Sequence, residues 1–233
     1  MKTVLTLTFL IGSTLSAVAQ LAPQHTAPLM DHMREVNAQW TVQNIALENG
    51  DAPVHFADEA ERIATHLHLV IADLSARPTN KLSATQRTQR ATLLQDLEAY
   101  ADRGIFPLNT VLPYRNPVFL DPVGTACAVG QLMIESGDRA LAERIQANMN
   151  LGYLHQILED KDLHSPVADW ALAHGFTADE LAWIQPGYPP QTIWGEMGNG
   201  TDSTVNAMLV NSLGDLVVAG AFIDAGGITV NGI

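Results

Sequence analysis

One thiol, eight imidazoles and an excess of carboxylates over cations form the chemical inventory of this 233-residue chain. Cys127 follows Gly124-Thr125 at the expected start of a helix, where backbone N–H groups or a nearby base could activate a thiol. It is the one catalytic candidate. Its neighbours Ala126, Ala128, Val129 and Leu132 are apolar, and free cysteine is among the most buried residue types, so a packed core thiol is the expectation. His55, Asp58 and Glu59 are the metal candidates, because a loop imidazole and two first-turn carboxylates could converge on one cation. The competing reading is that acids in a first helical turn complement the helix dipole. His66 and His68 lie two apart, which on a helix places them on nearly opposite faces and excludes joint chelation. His155, His164 and His174 fit solvated helix surfaces and ends. Asp121, Glu135, Asp138 and Glu143 could pair as acid and base only if the fold gathers them, and surface solvation is the simpler expectation. No phosphate-cradling, dinucleotide, nucleophile-elbow or HExxH pattern occurs, so no cofactor is expected.

The formal charge of −13 sets the surface against phosphate backbones and anionic head groups, which argues against nucleic-acid partners. A single cysteine rules out an intrachain disulfide framework and multi-cysteine metal sites. At the start, Lys2 precedes an apolar run over 4–15, and Ala17-Val18-Ala19 offers small residues before Gln20, the pattern of an export signal occupying 1–19. The run is too short to span about 30 Å of hydrocarbon. No later stretch reaches spanning length, so no membrane span is expected after cleavage.

These candidates need elements to position them. Ile63, Leu67, Val70, Ile71 and Leu74 form one helical stripe between Asp58 and Arg77-Pro78. Ser83 with Gln86 reads as a capping box opening a helix that Gly104 stops. Pro107, Pro113, Pro117 and Pro122 make 104–124 an irregular crossing, with Ile105, Phe106, Leu112, Tyr114, Val118, Phe119 and Leu120 as its expected anchors. Helices are expected again over 126–134, 138–149 and around 154–158. Another should open at Ser165-Pro166 and stop at Gly175, and a last one starts at the capping box Thr177 and Glu180. The sum is a mainly α fold: a helical domain over 20–188, built as a bundle of six or seven short helices, then a proline-rich linker at 189–193. In 194–233, Val205, Ala207 and Leu209 alternate with Asn206 and Met208, a turn follows over 211–215, and 216–222 answers as the second strand of a β-hairpin.

The blocks Arg115-Asn116-Pro117-Val118-Phe119-Leu120-Asp121, Gly124-Thr125-Ala126-Cys127-Ala128-Val129-Gly130 and Glu180-Leu181-Ala182-Trp183-Ile184-Gln185-Pro186-Gly187-Tyr188 resemble an exported bacterial domain found ahead of repeat arrays in secreted proteins. That resemblance implies no catalytic residue. The tail, with Trp194-Gly195, Gly214-Asp215, Ala219-Gly220-Ala221-Phe222 and Ala225-Gly226-Gly227, resembles one unit of kelch-like bacterial propeller repeats. It departs from them by the alanine at 219. A propeller needs about four to eight blades, so the resemblance implies one incomplete blade and a chain that is a fragment of a larger propeller-containing protein. The functional expectation is an exported surface or interaction protein, secreted, periplasmic or at the cell surface, whose partner is a protein or glycan at the cell exterior. The alternative is an exported hydrolase or oxidoreductase whose site lies in the 104–130 region or in further blades.

Overall fold

The computed structural model describes residues 26–42, 45, 47–190, 201–210, 216–225 and 228–230. The export signal, the linker residues 191–193, the Trp194-Gly195 block, the hairpin turn 211–215 and Gly226-Gly227 lie outside the described residues. The chain divides into two compact units, Met1–Gln191 and Thr192–Ile233.

The first unit is helical. A short antiparallel pair, β1 (Ala27–Pro28) with β2 (Pro53–Val54), brackets α1 (Leu29–Val36) and α2 (Gln39–Val42). Then come α3 (Glu59–Ala76), α4 (Ala84–Arg103), α5 (Ala128–Glu135), α6 (Arg139–Met149), α7 (Leu154–Glu159), α8 (His164–Ala173) and α9 (Ala178–Ile184). The fold is mainly α, with nine helices among the described residues, two more than the seven that periodicity suggests. The additions are α1 and α2, both ahead of Asp58 where the sequence reading places no helix. Helix α3 packs on α4, α4 on α5, α5 on α6, and α7 on both α8 and α9. One apolar core runs from Met30 to Tyr188.

Local chemistry sets most boundaries. Asp58 caps α3 by accepting from the Glu61 N–H at 2.8 Å, and Asp138 caps α6 by accepting from Leu141 at 3.1 Å. Capping boxes stand at Ser83/Gln86 and Thr177/Glu180, and Gly104 ends α4 in the left-handed region at φ 62. Helix α8 differs from expectation. It starts at His164, so Pro166 falls in its first turn, where the missing N–H costs no intrahelical bond.

The crossing between α4 and α5 is irregular, as its prolines require, but its anchors differ from those expected. Ile105 and Tyr114 are exposed, and only Val118, Phe119 and Leu120 among the expected set are fully buried. Polar side chains do the rest. Buried Asp121 accepts from the N–H groups of Leu108, Val123 and Thr125 at 2.8–3.3 Å. Asn109 donates to the Tyr114 carbonyl at 2.8 Å and accepts from Leu112 at 3.0 Å. Asn150 exchanges two 2.9 Å bonds with Leu120. A proline-rich segment has few internal backbone bonds, so its buried carbonyls and N–H groups must find side chains.

The second unit carries a hairpin of β3 (Val205–Val210) and β4 (Leu216–Gly220), antiparallel, with Val205 opposite Gly220. An irregularity in register between Val205 and Ala207 breaks the expected alternation, and Asn206, Ala207 and Met208 are all exposed. A smaller pair, β5 (Asp224–Ala225) with β6 (Ile228–Thr229), follows. Asp202 accepts from the Ile223 and Asp224 N–H groups at 2.9 and 3.0 Å, and these backbone donors hold its carboxyl below the usual range.

Candidate functional site

The thiol is not presented to a substrate. Cys127 is the N-cap of α5 and fully buried, its Sγ accepting from the Gly130 N–H at 3.3 Å. Burial pushes the thiol up to about 12, against the pull of backbone donors, so it stays protonated at neutral pH. Beside it stand the phenols of Tyr100 and Tyr188, both fully buried and both raised well above their ordinary range by burial. Tyr100 donates to the Ala126 carbonyl at 2.8 Å.

The proposed metal residues are separated by other duties. Asp58 caps its helix, and Glu59 accepts from Arg115 Nη2 at 2.6 Å and faces Arg62 Nη2 at 3.5 Å, while His55 is exposed. Among the described residues no group of three His, Cys, Asp or Glu side chains is arranged to hold a metal ion. The carboxylates considered as acid and base are likewise occupied separately. Asp121 pins the crossing, Asp138 caps α6, Glu135 accepts from Gln131 at 2.7 Å, and Glu143 faces Arg139 at 4.0 Å on the surface. His68 meets Asp102 at 3.2 Å. His174 stacks on Trp170, and His164 bonds the Leu158 carbonyl at 2.6 Å.

Sequence reasoning passed over a charged cluster under α1 and α3. The Arg62 side chain is 1% exposed, and its Nη1 meets Glu35 at 3.0 Å and His32 Nδ1 at 3.4 Å. His32 Nε2 lies 3.2 Å from the Val54 carbonyl, which fits a neutral ring with its proton on Nε2. Arg115 completes the cluster through Glu59 and donates from Nη1 to the Gly187 carbonyl at 2.7 Å. Burial lowers the Arg115 guanidinium from its ordinary value while Glu59 opposes the shift. The available signal was an arginine one residue before Ile63, within the buried arc of α3.

Backbone and side-chain bonds tie the 115–121 segment to the 180–188 segment. Tyr188 and Asn116 exchange backbone bonds of 2.9 and 3.1 Å, and Asn116 also donates to the Pro117 and Leu151 carbonyls. A Cβ on Gly187 would stand 2.9 Å from Arg115 Cγ, so a side chain there forces the Arg115 stem to shift. Asn37, one residue past α1, donates to the Ala182, Trp183 and Gln185 carbonyls at 2.8–3.0 Å, tying down the end of α9. Gln185 in turn accepts from Leu154 at 2.8 Å and caps α7.

Where these segments meet, a solvent-open cleft of about 440 Å³ lies between the end of α1, the start of α7 and the 185–187 turn. Arg34, Glu35, Gln39, Arg115, Tyr153 and Gln156 contribute to its lining. Tyr153 and His155 stack at 5.7 Å with both rings exposed. Comparison with protein-family models, curated proteins and solved structures finds no match to this chain.

Proposed function

We propose that the chain is an exported surface or interaction protein that engages a protein or glycan at the cell exterior, and that its first unit carries a binding cleft. One observation supports this most. Arg115 is fixed by Gly187 and Glu59, Gln185 is fixed by Leu154 and Gly152, and both stand at the edge of a solvent-open cleft. Rigidly held polar groups around a concavity suit recognition. The buried, protonated thiol does not offer a nucleophile to the same cleft. No described helix is long and apolar enough to cross a membrane, as the reading requires after signal removal. The kelch-like resemblance of the second unit fits a chain that presents loops for binding.

Two measurements test it. In a secreting bacterial host, the exported product is expected to have an intact mass beginning at Gln20. A membrane-bound product retaining Lys2 overturns export. The labelled chain added to washed host cells should be retained above a control protein of equal net charge, and equal retention removes the interaction half of the proposal.

A further inference from the structure

We infer that the cleft beside Arg115 is a saccharide site, taking a neutral mono- or disaccharide. The inference rests on the interaction reading above and names the ligand class. Its basis is the mixture of groups around one concavity. Arg34 and Arg115 bring guanidiniums, Glu35 a carboxylate, and Gln39 and Gln156 amides. An anion entering here meets Glu35, and a cation meets two arginines. An apolar ligand strips water from these groups and returns no hydrogen bonds. A hydroxyl both donates and accepts, so adjacent sugar hydroxyls can answer a planar guanidinium and a carboxylate or amide oxygen at once.

The rim supplies the second requirement. Tyr153 presents an exposed phenol ring backed by His155 at an interplanar angle of 24°. A pyranose ring has a face of C–H groups that packs on an aromatic plane while its hydroxyls point sideways, the division of labour an amphipathic ring serves. The floor is already ordered, since Arg115 is fixed by Gly187 and Glu59 and Gln185 by Leu154 and Gly152, so little ordering entropy is lost on binding. At about 440 Å³ the cleft falls within the range of small-ligand sites, about 300–1,000 Å³.

Saturation-transfer NMR on the full chain decides the matter, with cellobiose, maltose and N,N′-diacetylchitobiose as probes and sodium acetate as the anionic comparison. At least one disaccharide should show ring-proton saturation at millimolar concentration. Tyr153→Ala should weaken its binding about tenfold with an unchanged thermal melt. Gln39→Ala, on a different element, should weaken it too and stands in if the first variant melts early. Saturation of acetate alone makes this an anion site and overturns the inference. Saturation untouched by both variants places the sugar elsewhere and also overturns it, as does absence of saturation from every probe. If sugar binding fails while export and cell retention hold, only the ligand class falls. If all fail together, the interaction reading falls as well.

Discussion

His66 is a histidine where an aliphatic residue would ordinarily sit. It is fully buried on α3, and Trp40 Nε1 donates to its Nδ1 at 2.8 Å, which fixes the proton on Nε2. Burial, helped by the Arg115 charge and opposed by the Trp183 backbone, lowers the ring from 6.5 to about 3. Between these values the unfolded chain binds a proton that the folded chain refuses. Stability is therefore intact above about pH 6.5 and declines as the pH falls toward 3, by up to about 1.4 kcal/mol per pH unit. Glu180, whose carboxyl is held low against burial by hydrogen bonds from Arg90 and Thr177 and by nearby charge, adds its own loss only below its ordinary 4.5. Across the window from about pH 6.5 to 5 the imidazole therefore acts before Glu180 does. Urea midpoints should fall across that window in the natural chain and fall less steeply in His66→Gln, whose amide oxygen can still accept from Trp40. A slope left unchanged by the substitution would place the proton uptake on other groups.

At the scale of elements, the decisive tie joins α4 to α9. Arg90 meets Glu180 through two bonds of 2.9 Å, donates to the Gly175 carbonyl at 2.8 Å and the Leu74 carbonyl at 3.2 Å, and lies over the Phe176 ring. Both side chains are under a tenth exposed. Removing Arg90 leaves the buried Glu180 with only Arg77 at 3.5 Å and the Thr177 N–H at 3.0 Å, so Arg90→Met should cost about 3 kcal/mol, and the double variant with Glu180→Gln less than the sum of the two. A cost of Arg90→Met below about 1 kcal/mol in chemical denaturation would mean that the pair contributes no net stability. The capping boxes, the stop at Gly104 and the stripe on α3 were legible in the sequence because their partners lie within a few residues. Arg90 was only half legible. Its spacing to Leu94, Leu97 and Ala101 marks a cation inside an apolar stripe, but nothing local names Glu180, ninety residues away, as its partner. The same limit hid α1, whose end is fixed by Asn37 reaching carbonyls about 145 residues distant, and hid the cleft, which exists only once three separated segments meet. The irregularity of the crossing is legible in its prolines, while its anchors are not, because hydropathy favours Ile105 and Tyr114 over the asparagines that hold it.

For the molecule as a whole, the first unit is closed by its own last residues. After α9 the chain does not simply leave. Gly187 donates to the Val36 carbonyl at 2.9 Å, Tyr188 pairs with Asn116 and is fully buried, and Pro190 stands in a bridge with Asn109. Those few residues hold the α1 end, the crossing and α9 to one another, so they belong to the folding unit although they carry no helix. A fragment of residues 20–191 should therefore melt cooperatively by far-UV circular dichroism, as the apolar core it contains runs from Met30 to Tyr188. A fragment ending at Ile184 keeps every described helix yet loses the Arg115–Gly187 bond, the Gln185 cap of α7 and the buried Tyr188 ring. Burying an aromatic ring and satisfying those groups together contribute several kcal/mol, which for a unit of this size corresponds to a melting point lower by about 10 °C or more. Equal melting points for the two fragments would show that the closing segment is only the start of a tether, and the cleft it borders would then lose the rigidity on which binding depends.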